Sequence, residues 1–170
     1  VPIIAKLWND KELKNLKYLY KKTSIHLLLS SGFIFLMIFI NVDAVMIILG
    51  EKFGQVKFVI IILSIAKLYE IVNALNTNII LISKYYKIDI VFQVFLLILT
   101  VFTNMLLIPK FGMEGAAFAT AITLFINSTL RFLFVYRKFG INAYSKNLVK
   151  VFIILIICYL LSVIIPKISQ

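Results

Sequence analysis

The apolar residues of this chain come in runs near or above the ~18 to 20 residues that a helix needs to cross the ~30 Å hydrocarbon layer of a bilayer. A water-soluble particle could not cover several such runs. Hydrophobic residues make up 62% of the sequence, against roughly 45 to 50% in soluble globular proteins, and the mean hydropathy is +1.05. The expected fold class is therefore all-α, an integral membrane helical bundle. About five transmembrane helices are expected, at 24–42 with a short apolar extension to 49, 57–82, 88–108, 114–136 and 148–165.

The charge distribution sets the expected topology. A net charge of +11 would suggest nucleic acid in a soluble protein, but here the cations lie between the apolar runs, so no nucleic-acid partner is expected. Of the eighteen basic residues, twelve fall at 6–22, 84–87 and 137–150, on one side of the five spans. Only four fall on the other side, and Lys67 and Arg131 lie within spans. The richer side is cytoplasmic by the positive-inside rule, which puts residue 1 inside and residue 170 outside a multi-pass protein of a cell membrane. Residues 1–23 form a cytoplasmic amphipathic segment, with Lys6, Lys14, Lys17 and Lys21 on one face of a helix and Ile4, Trp8, Leu16 and Leu19 on another. Such a helix would lie on an anionic inner leaflet, with membrane lipid as its partner. No signal peptide is evident, and the opening at Val1 reads as an excerpt of something longer.

Polar side chains in hydrocarbon are costly, ~2.5 to 3.5 kcal/mol for a charge at the centre of a helix, and usually face a bundle interior or a wet cavity. Three neighbouring spans each carry one stripe of them within an arc of about 100°. The stripes are Lys67, Glu70, Thr77 and Asn78; Gln93, Thr100, Thr103 and Asn104; and Thr120, Thr123, Asn127 and Arg131. Interhelical hydrogen bonding would account for the amides and hydroxyls. Lys67 and Glu70 fit a neutralised i, i+3 pair as well as a cavity site for an anionic or ion-coupled substrate. Arg131 could snorkel to the cytoplasmic surface. The fifth span is apolar all round, which suits a helix facing lipid. Cys158 is the lone cysteine and excludes an intrachain disulfide. His26 reads as interfacial, and no nucleotide or metal motif is present, so neither a cofactor nor an enzymatic activity is expected.

The stretch LLIPKFGMEGAAFATAI, from Leu106 to Ile122, reads as a tight antiparallel hairpin. Pro109 cannot continue a helix as an interior residue, Lys110 to Gly112 would turn outside, and Glu114 suits the first turn of the next helix. Gly115 with Ala119, and Ala117 with Ala121, form small-xxx-small pairs that let helices approach almost backbone to backbone. Asn104 followed by this stretch resembles the signature in the C-terminal half of bacterial polysaccharide flippases, the O-antigen and repeat-unit exporters of the multidrug/oligosaccharidyl-lipid/polysaccharide superfamily. Pro2 with IIAKL, the IILGEKF stretch at 47–53 and the basic loops at 84–87 and 137–150 agree with it.

The resemblance implies one part of a two-lobed flippase fold, with this chain supplying helices nine to thirteen. The N-terminal lobe, the first two helices of the C-terminal lobe and a fourteenth helix are not in the sequence. It also implies a lipid-linked oligosaccharide as substrate, moved across a bacterial inner membrane by alternating access. Lys67 and Arg131 would then meet pyrophosphate, the Thr, Asn and Gln side chains would meet sugar hydroxyls or water, and Glu70 would couple an ion. A multidrug antiporter of the same superfamily, a membrane-embedded transferase or polymerase acting on lipid-linked sugars, and a non-transporting assembly partner are the alternatives.

Overall fold

The structure, a computed structural model, describes residues 2–10, 12–42, 54–142 and 144–168. The expected extension of the first span beyond residue 42, and the 47–53 stretch, lie outside the described residues. The fold is helical, with no strand among the described residues. Its elements are α1 (Pro2–Asn9), α2 (Leu13–Ile40), α3 (Gly54–Val72), α4 (Leu75–Ile82), α5 (Tyr86–Phe139) and α6 (Lys146–Ile168).

Among the described residues two helices are long and apolar enough to cross a membrane, α2 and α5, and a third crossing results if α3 and α4, bent by 41°, count as one broken span. At 54 residues α5 would be about 80 Å long if straight, far more than a bilayer needs. It is not straight. Gly112 has φ 55° and ψ −127°, outside helical geometry and near a turn conformation that favours glycine. The Thr103 and Thr123 hydroxyls lie 3.3 Å apart, whereas residues that distant along one helix would be separated by about 30 Å. The two arms, 86–111 and 113–139, are therefore antiparallel.

The hairpin expected from the proline, glycine and alanine stretch forms, with one correction. Helical structure runs on through Pro109, the expected end of the first arm, and the chain reverses at Gly112, the last residue of the expected 110–112 turn. Pro109 forfeits one ladder bond without ending the helix, while Gly112 adopts the positive φ that the reversal requires. The arms pack tightly just beyond it: Gly115, Ala117 and Ala119 are buried, and a Cβ on Gly115 would sit 2.2 Å from the Leu107 carbonyl oxygen.

The remaining helices stack beside this hairpin in a consistent sense. Tyr20 meets Asn76 and Ser24 meets Val72, so α2 runs antiparallel to α3 and α4. Phe58 packs on Phe118 at 5.6 Å and Tyr69 stacks on Phe125 at 4.6 Å, so α3 runs parallel to the second arm of α5. Gly32 abuts Leu155 and Phe39 meets Tyr159, which sets α6 parallel to α2.

The amphipathic helix expected within residues 1–23 is divided in the structure. Helix α1 ends at Asn9, and residues from Leu13 onward begin the long α2. Ile4 is buried, Leu7 and Trp8 pack against the core, and Trp8 makes an edge contact with Phe139 at 4.9 Å. Part of the apolar face of α1 is thus buried against the end of α5.

Candidate functional site

Among the described residues the charged side chains expected within spans fall at two separate places. The first is a buried node where α4 and both arms of α5 meet. Arg131 comes from the second arm, Asp89 from the first turn of the first arm and Thr77 from α4. Arg131 Nη2 stands 3.0 Å from Asp89 Oδ1, with side chains only 8% and 10% exposed. The two atoms lack hydrogen-bond alignment, so the contact is a close Coulombic pair in a low-dielectric setting. Arg131 Nη1 also donates to Thr77 Oγ1. One helical turn earlier Asn127 is buried, and its Oδ1 has no hydrogen-bond partner among the described residues.

Arg131 therefore turns inward and does not snorkel. Asp89 was missed in the sequence reading, because its partner is remote in sequence. The two positions mirror one another about the hairpin turn, and laying the arms side by side would have paired them.

The second place is an open groove of about 150 Å³ between α2 and α3, whose polar lining is Ser31, Ser64 and Lys67. Lys67 Nζ donates to Glu70 Oε2 at 2.8 Å, as the i, i+3 spacing allows, and the two side chains remain 58% and 36% exposed. An exposed pair of this kind contributes ~0 to 1 kcal/mol to stability. Its interest is its position, close to the middle of the bent α3 and α4 pair.

The ten expected site residues do not share one lining. Arg131, Thr77 and Asn127 gather at or beside the buried node, and Lys67 and Glu70 stand at the groove. Thr100 and Thr120 are half-buried and donate to the carbonyls of Leu96 and Ala116, at 2.7 and 2.9 Å. Such back-bonding satisfies a threonine hydroxyl inside its own helix. Asn104 and Asn78 are half-buried, and Gln93 is exposed. The link between the two hairpin stripes is Thr103 with Thr123.

No family model matches the chain, and no solved structure matches it. Among curated proteins, the chain is 27% identical over 143 residues to the capsular polysaccharide biosynthesis protein CapF of Staphylococcus aureus, over 81% of this chain and 35% of that protein. It thus spans about a third of the length of this relative. The chain combines long apolar helices compatible with a membrane with a distant likeness to a protein named for capsular polysaccharide biosynthesis.

Proposed function

We propose that the chain is part of a flippase that carries an isoprenoid-pyrophosphate-linked oligosaccharide from the inner to the outer leaflet by alternating access. Five crossings fit the helix directions: α2 and α6 run one way, α3 with α4 the other, and the two arms of α5 run in opposite senses. Each arm of about 26 residues is roughly 39 Å long, enough to cross the hydrocarbon layer.

The observation that carries the reading is the exposed Lys67–Glu70 pair halfway along an apolar, bent helix pair. Facing lipid, a charged pair there would be costly; facing a watery passage between lobes, it costs little. The missing lobe would complete that passage. Lys67 keeps an exposed ammonium on the groove, so it is the cation that meets pyrophosphate, while Arg131 is already engaged by Asp89 and serves the fold. Glu70 would hold Lys67 in place between substrates, or bind the coupling proton or sodium ion.

Lys67→Ala in the complete polypeptide tests this. Surface polysaccharide is expected to fall at least tenfold, a loss of about 1.4 kcal/mol or more in effective phosphate recognition, while lipid-linked precursor accumulates and protein level stays normal. Unchanged export at normal protein level would refute the role of Lys67.

A further inference from the structure

Between α3 and α4 the chain bends by 41° in the sequence EIVNALN, residues 70–76, which holds neither proline nor glycine. Sharp kinks without those residues arise at π-bulges or where a side chain or water enters the hydrogen-bond ladder. Here Asn73 does so. Its Nδ2 donates to the Tyr69 carbonyl at 3.0 Å, the acceptor that its own backbone N–H would use in a continuous helix. That N–H goes instead to Glu70, and the N–H groups of Ala74 and Asn76 likewise shorten their reach to Ile71 and Asn73. A short stretch of three-residue turns inside a span frequently marks a hinge.

The shift leaves the Val72 carbonyl without the Asn76 N–H. Helix α2 supplies the replacement, since Ser24 Oγ donates to Val72 O at 3.2 Å. One turn away Tyr20 Oη donates to Asn76 Oδ1 at 2.6 Å. All of these side chains are buried. A cavity of about 630 Å³, walled almost wholly by apolar side chains including Leu28, Tyr69 and Val72, borders the same break, so packing beside it is not close on every side.

From this geometry we infer that the Asn73–Ala74 break is a hinge, held bent by Ser24 and Tyr20, on which α4 swings between a bent and a straight arrangement. Straightening returns the Asn76 N–H to Val72 and frees Ser24. The bent form keeps Thr77 against Arg131, so the same motion opens or closes the buried node. The hinge would supply a moving part for the proposed flippase and rests on that reading only for its purpose.

The test places spin labels at Tyr18→Cys and Leu81→Cys, both well exposed, in the complete polypeptide with its other cysteines changed to serine, reconstituted in bilayer nanodiscs. The eight residues of α4 form a lever of about 12 Å, so a 41° swing moves its tip by roughly 8 Å. Ser24→Ala is expected to add a second distance population displaced by roughly that amount, and Ser24→Thr, which keeps the hydroxyl, to restore the single one. Tyr20→Phe, which removes one oxygen and keeps the ring, is expected to shift the same populations should Ser24→Ala fold poorly. A single unchanged distance in Ser24→Ala and Tyr20→Phe would make the bend static and overturn the hinge. Because the readout is a distance, this outcome is separate from any failure of the transport reading.

Discussion

Replacing Arg131 by alanine is expected to be among the most damaging single changes in this chain. The substitution removes the cation that neutralises Asp89 and strands a carboxylate whose side chain is 10% exposed. Breaking a buried pair from one side typically costs ~3 to 5 kcal/mol, because the remaining charge has lost its compensation. The whole stability of a domain is only ~5 to 15 kcal/mol, so the variant should show a large drop in folded, monodisperse protein and in its midpoint of thermal unfolding. Replacing Asp89 and Arg131 together by alanine should recover much of that loss, since the double variant buries no unpaired charge. A double variant as poor as Arg131→Ala would mean that the attraction itself, or the bond to Thr77, supplies the stability. Arg131→Ala as stable as the parent would contradict the buried node.

Gly115→Ala is expected to have the next largest effect, because the added methyl would meet backbone. Its Cβ would lie 2.2 Å from the Leu107 carbonyl oxygen and 2.6 Å from the carbonyl carbon. Neither atom can rotate away, so the two arms of α5 would have to separate where Ala117 and Ala119 now pack. Overpacking of this kind costs ~1 to 3 kcal/mol, and a backbone obstacle puts the change at or above the upper end. Gly112→Ala is the informative contrast. Nothing lies within 4 Å of a Cβ there, so its cost is conformational only, about 1 to 3 kcal/mol for a residue forced into a sparsely populated backbone region. Gly115→Ala should therefore unfold at lower temperature than Gly112→Ala, and the reverse order would argue against close approach of the arms.

These two sites mark how far the sequence could be read. The hairpin was legible because proline, glycine and small residues act locally: each carries its conformational meaning in its own backbone. The i, i+3 pairing of Lys67 with Glu70 was legible for the same reason. The break between α3 and α4 was not, because Asn73 and Asn76 become a kink only when Tyr20 and Ser24, from a helix some fifty residues away, satisfy the groups that the kink releases. Asp89 was missed because a carboxylate in the first turn of a helix has an ordinary local reading, and its partner Arg131 is brought to it by the fold. The division of the 1–23 segment into α1 and the start of α2 likewise goes with a long-range contact, that of Trp8 with Phe139. The stripe of Lys67, Glu70, Thr77 and Asn78, expected on one span, is divided between α3 and α4 by the 41° bend, and helical periodicity fixes only the angle around one axis. It leaves open whether neighbouring stripes face each other, and here they resolve into a closed node and an open groove.

The most direct measurement is transbilayer movement of a fluorescent isoprenoid-pyrophosphate oligosaccharide in proteoliposomes holding the complete polypeptide, compared with Lys67→Ala at equal protein density. Faster movement than in empty vesicles, reduced at least tenfold by the substitution, about 1.4 kcal/mol, is the expected result. Movement no faster than in empty vesicles, under conditions in which the protein is folded and correctly inserted, would contradict the flippase reading.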